Sequence, residues 1–228
     1  MRDLGVFHSL GGLWIRVLEE LEANGVERVY TDNAGEEADV KELFNLTAEI
    51  QDAVLPDAII EKHKVPSEYD WMVRNFTVQG EVPELHHENS YASRLYSYMG
   101  KKDQIEWLIK RLKENPHARS ATITTFEPLT DEGYIPCVSL LDFQESGGNL
   151  NMTAYCRALD FGCKAYINLV MLHQIQKEIA EKVGMEQGNL ILIVKSAHFY
   201  MRDEPKVMKI LQEDGTTGGI GISRPIHK

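Results

Sequence analysis

The chain has 228 residues, 43% hydrophobic, 26% charged and 8% aromatic, enough for one domain with a substantial core. That composition excludes collagen-like, disordered and disulfide-scaffold proteins, and no apolar run approaches the roughly 20 residues that span a bilayer. With 24 basic against 35 acidic side chains the formal charge is −11, which disfavours a general affinity for nucleic acid or an anionic membrane.

Residues 1–25 carry amphipathic spacing and are expected to form one helix. The acids inside that segment are unlike a signal peptide, so a cytoplasmic location is expected. Val40–Ile50 is apolar and β-branched, as in a strand. Pro66-Ser67-Glu68 followed by Tyr69, Trp71, Met72 and Phe76 predicts a short helix. The pair His86-His87 has no third ligand at useful spacing, so no metal is expected there. Asp103 can cap a helix in which Ile105, Leu108, Ile109 and Leu112 recur at i, i+3, i+4 and i+7, stopped by Pro116. Residues 121–126, 137–143 and 150–156 read as strands, the last two joined by a Gly-Gly hairpin signal at 145–149. Residues 166–183 predict a long helix ending at Gly184, and 189–200 a strongly apolar strand with a polar end. The tail 215–221 is glycine-rich but lacks the Lys-Ser/Thr of a phosphate loop. No composition break divides the chain. The expectation is a single α+β domain over 1–228, with helices stacked on a mixed sheet.

Three cysteines, Cys137, Cys156 and Cys163, are too few for a disulfide framework, and no CxxC pair suggests zinc. Each is then core filler or a nucleophile. Cys137 starts a strand after Pro136, and Arg157 ends the next hairpin strand, where it can return a positive charge toward Cys137. A guanidinium there favours the thiolate and can hold a phosphate bidentately. Asp160 and Asn168 flank the start of the long helix, and the Asn168 amide can donate and accept in one plane, as reading a pyrimidine edge demands. Taken alone, Asn168 reads first as an ordinary polar helix residue. His198 and Tyr200 project from one face of a strand end, as site-facing donors or as satisfied core groups.

Twenty positions separate Cys137 from Arg157, eleven separate Arg157 from Asn168, and thirty separate Asn168 from His198. These intervals, with the stretches 103–119, 135–143, 148–169 and 196–200, resemble the thymidylate synthase family over residues 68–200. The short length and the absence of a long insertion look more like its compact archaeal-type members. The resemblance implies a homodimer with its subunits joined across the sheet. It implies thiolate addition of Cys137 to C6 of a pyrimidine nucleoside 5′-monophosphate and one-carbon transfer to C5 from 5,10-methylenetetrahydrofolate or a related pterin carrier, with no metal. Asn168 would orient the base, and Arg157, with Arg119 from a partner subunit, would bind the phosphate. Asp160 would bind the pterin, and His198 and Tyr200 the sugar hydroxyl. Glu68 would manage proton transfers through water, although a surface glutamate explains that position as well.

The chain departs from the family pattern in several places. Ser120 follows Arg119 where a second arginine is usual, Ala158 stands in place of a serine, and Val138 in place of a histidine. Asp142 and Cys156 replace glutamines, residues 29–37 lack the usual phosphate loop, and 221–228 do not match the closing tail. An amide at 168 favours uracil and hence methylation of dUMP to dTMP. A 5-hydroxymethylase acting on CMP, dCMP or dUMP is the alternative, and a non-catalytic nucleotide-binding relative the second.

Overall fold

The computed structural model describes residues 1–31, 36–80, 82–85, 88–132 and 134–215. The expected helix over 1–25 is a correction: the chain opens with strand β1 (Arg2–Phe7), and helix α1 runs only over Leu10–Asn24. Two local features set the break. Asp3 accepts a hydrogen bond from Gly5 N (3.0 Å), with Gly5 at φ +82°, a conformation suited to glycine. Ser9 then caps α1 by accepting from Gly12 N (3.0 Å), while Asp57 accepts from Ser9 Oγ and Gly11 N at 2.7 and 2.9 Å. The amphipathic spacing is real from Leu10 onward, where Leu13, Trp14, Val17, Leu18 and Leu21 are fully buried.

Strand β2 (Val26–Thr31) folds back on β3 (Glu37–Ile50) as an antiparallel pair. Helices α2 (Ala58–His63), α3 (Pro66–Thr77), α4 (Tyr91–Tyr96) and α5 (Gln104–Glu114) follow. Asp103 caps α5 as expected, accepting from Glu106 N at 2.8 Å. Strands β4 (Thr122–Thr124), β5 (Val138–Ser146) and β6 (Asn149–Cys156) lie where the sequence predicts strands. Gly147 and Gly148 turn the hairpin, both at positive φ. The two-residue strand β7 (Leu159–Asp160) leads into α6 (Ala165–Val183), ended by Gly184 at φ +79°. Strand β8 (Glu186–Tyr200) and helix α7 (Glu204–Asp214) are the last elements among the described residues.

One mixed eight-stranded sheet has the order β1-β3-β8-β6-β5-β4, with β2 beside β3 and β7 beside β8. Ala48, Leu192, Ala154 and Leu141 sit side by side across its centre, all buried with the helices in one core. The next row, Thr47, Ile193, Tyr155 and Leu140, faces the other way and stays partly exposed, Tyr155 at 38%. No described helix is long and apolar enough to cross a membrane. His86 and His87 lie outside the described residues, as do the loop residues 32–35 and the tail from 216, so the readings made on them stay sequence readings.

Candidate active site

The hairpin brings Arg157 back to Cys137 as the spacing suggested. Arg157 N donates to Cys137 O at 2.8 Å, and the Arg157 side chain donates from Nε to Ile135 O (2.9 Å) and Pro136 O (3.2 Å) and from Nη2 to Ile135 O. Two of its nitrogens thus fix the segment that carries the thiol, leaving Nη1 for a ligand. Tyr91 supports the same segment from α4. Its phenolic oxygen accepts from Val138 N at 3.0 Å, and its ring stacks on Phe76 with centroids 4.4 Å apart.

Cys137 is half-buried and lines a cavity of about 320 Å³, within the range of small-molecule sites. Arg157, Asp160, Asn168, His198 and Tyr200 line the same cavity. Six of the eight residues singled out in the sequence therefore converge on one space. Glu68 and Arg119 do not line it. Glu68 sits in the first turn of α3, with Lys206 Nζ 3.3 Å away. Arg119 is exposed in the loop between α5 and β4.

The electrostatics correct one expectation. Arg157 does pull the Cys137 thiol toward ionisation, and Lys164 does so too, but burial outweighs both and Asp160 opposes them, so the thiol is held above its ordinary range. Cys156, fully buried, is pushed up further by the same cause and is inert core. Burial pushes the Asp160 carboxyl up to about 6, against the pull of Lys164, while Asp160 accepts from Gly162 N at 3.1 Å. Burial brings the His198 imidazole down to about 4, so it is neutral at pH 7. His198 and Tyr200 do share a face: their rings meet edge to face at 5.5 Å, while Phe199 between them and Ala197 before them are buried.

Two polar atoms here are buried and without a partner: Asn168 Oδ1 and His198 Nδ1. Each unmet group costs about 1–3 kcal/mol, which a polar ligand would recover. The Asn168 finding changes the expected reading of a base. One of its two Nδ2 hydrogens already goes to Lys164 O at 3.0 Å, so the amide keeps an unpartnered acceptor and at most one further donor. Sequence reasoning missed Tyr91, Tyr134, Trp71 and Lys164, which also line the cavity. Lys164 and Asn168 are one helical turn apart, and that i, i+4 spacing was the available signal.

A family model described as thymidylate synthase matches residues 36–219. A relative from Methanosarcina mazei, named "Putative thymidylate synthase", is 30% identical over 210 residues, covering 90% of this chain and 92% of its own. A relative of the same name from Methanosarcina barkeri is 29% identical over 212 residues, with the same two coverages. Thermostable thymidylate synthase A from Bacillus subtilis shares the fold, with a TM-score of 0.69 at 17% identity over 90% of this chain and 84% of that one.

A half-buried acid with a raised proton affinity leaves a mark on stability. Because its folded-state value is raised to about 6 from 3.8, the Asp160 contribution is fully present below pH 3.8 and lost as pH rises through 6. Asp160→Asn is expected to be more stable than the wild type at pH 8, by at most about 3 kcal/mol, and nearly equal to it at pH 4. Urea unfolding at the two pH values measures this.

Proposed function

The chain belongs to the thymidylate synthase family, and on that premise we propose that it transfers a one-carbon unit to C5 of a pyrimidine nucleoside 5′-monophosphate, with dUMP methylation to dTMP as the first reading. The observation that carries this is the half-buried Cys137 thiol opening into the cavity that also holds Arg157, Asn168 and the neutral His198.

Cys137 adds through Sγ to C6 of the ring, which makes C5 nucleophilic. Arg157 turns Nη1 to the phosphate while its other contacts keep the Cys137 segment in place. Asn168 Oδ1 accepts from a ring N–H, which uracil presents at N3 and cytosine does not. His198 Nδ1 and the Tyr200 hydroxyl meet the sugar hydroxyl. The pterin carrier, when bound, supplies an electrophilic one-carbon unit. Asp160 fits it, since a carboxylate ionising near pH 6 can accept from the N–H groups of a pterin ring. Glu68 stands outside the cavity wall, in line with action through water.

A second copy of the chain completes the site in this reading. Supporting this are the sheet face at Ile193, Tyr155 and Leu140, which no described helix covers, and Arg119, exposed and outside the cavity of its own chain. Ala158 lines the cavity where the family pattern has a serine, leaving the phosphate without that hydroxyl and opening room near the sugar. That keeps 5-hydroxymethylation of CMP, dCMP or dUMP as a second reading.

Incubating UMP, dUMP, CMP and dCMP with 5,10-methylenetetrahydrofolate and weighing the products tests the reading. Methylated dUMP is expected, together with the absorbance rise of dihydrofolate, and Cys137→Ser is expected to give neither. An added oxygen without dihydrofolate favours the hydroxymethylase. No product from any nucleotide favours a non-catalytic binder. Subunit mixing tests Arg119: Arg119→Ala and Cys137→Ser proteins, each inactive, are expected to regain about a quarter of wild-type activity when re-paired at random as dimers. No recovery would place Arg119 outside the partner's site.

A further inference from the structure

Lys164 is a cation that the reading above does not use. It stands at the start of α6, lines the cavity, and forms no ion pair among the described residues. Its ammonium lies over the Trp71 ring, 5.6 Å from the centroid. Its charge reaches the Cys137 thiol, the Asp160 carboxyl and the His198 ring, so it sits among the reacting groups. The backbone carbonyl of the same residue takes one hydrogen of Asn168 Nδ2. Asn168 is 4% exposed, with Oδ1 unpartnered. The cavity therefore offers a base the unpartnered acceptor of Asn168 and, one turn earlier on the same helix, a cationic donor from Lys164 that is stronger than the remaining amide N–H.

We infer that Lys164 stabilises the negative charge that develops on the C4 substituent of the pyrimidine when Cys137 adds to C6, an inference that rests on the one-carbon transfer reading. In that step the Sγ–C6 bond forms and the thiol proton leaves to solvent. The C5=C6 π pair shifts toward C4, placing charge on its oxygen, or on nitrogen in a cytosine. A solvent proton then taken up at C5 and loss of the original one, followed by expulsion of sulfur, returns the nucleotide with its C5 hydrogen exchanged and nothing oxidised or reduced. An unpaired ammonium beside a buried acceptor suits that charge better than it suits the neutral ring, which is the condition for lowering a barrier.

Exchange of the C5 hydrogen with deuterated water, without any pterin, reads this step alone. The probes are dUMP, UMP, CMP and dCMP, each followed by mass, with nucleotide affinity measured by calorimetry on the same proteins. Lys164→Met is expected to slow exchange by about 10²-fold or more while affinity changes by less than about tenfold. Lys164→Arg, which keeps the charge, is expected to recover much of the rate, with Lys164→Gln between them. Exchange by Lys164→Met within about threefold of wild type overturns the inference. So does a loss explained wholly by weaker binding, which would make Lys164 a phosphate ligand. So does recovery of the wild-type rate at alkaline pH, which would confine its effect to the thiol. Should Lys164→Met fail to bind nucleotide, Lys164→Arg and Lys164→Gln decide by the same comparison. No exchange by the wild type with any of the four, or undiminished exchange by Cys137→Ser, overturns the one-carbon reading itself and this inference with it.

Discussion

Everything in this site turns on a balance of charge at one sulfur atom. Burial opposes ionisation of Cys137, and the charges of Arg157 and Lys164 favour it, with burial ahead in the ligand-free protein. A thiol held this way stays protonated at neutral pH in the ligand-free protein. Several local contacts fix that balance. The hairpin β5–β6 returns Arg157 to the Cys137 carbonyl, two guanidinium nitrogens lock residues 135–136, and Tyr91 holds the N–H of Val138 from another layer. Cys156, one strand away, shows the contrast: fully buried and without those cations acting on it, it is core filler.

The same region holds polar groups at a cost in stability. Asp160 is half-buried against its preference for charge, and Asn168 Oδ1 and His198 Nδ1 go unpartnered. Among the described residues four buried side-chain atoms lack a partner; Arg111 Nε and His173 Nδ1 lie elsewhere, while Asn168 Oδ1 and His198 Nδ1 belong to residues that line this one cavity, and Gln176 by contrast meets three carbonyls. The formal charge of −11 sharpens the point, because the cavity carries Arg157 and an unpaired Lys164 against the field of the whole chain.

The long elements were legible in the sequence because their periodicity runs far enough to be read. The strand expected at 40–50, the helices after Pro66, at 104–114 and at 165–183, the hairpin at 147–148 and the strand ending at Tyr200 all form. The break inside residues 1–25 was not legible. It depends on Asp57, 48 positions beyond Ser9, reaching back to the helix start, and local spacing carries no trace of that contact. Six-residue helices such as α2 and α4 are too short to show a period. At the site, residue type and interval found the groups that converge, but not their hydrogen bonds. That Asn168 Nδ2 would spend one hydrogen on a backbone carbonyl while Oδ1 stays unpartnered is a fact of geometry alone. So is the net rise at Cys137, since spacing reveals a nearby arginine and says nothing of how deeply the sulfur is buried.

The most direct measurement is the mass of the intact protein after incubation with a 5-fluoropyrimidine nucleoside monophosphate and 5,10-methylenetetrahydrofolate. Fluorine at C5 cannot leave as a proton does, so a sulfur bonded to C6 stays bonded. A mass increase equal to nucleotide plus carrier, mapped to the peptide containing Cys137 and absent from Cys137→Ser, is the expected result. An unchanged mass, or label on Cys163 instead, would contradict the role given to that sulfur.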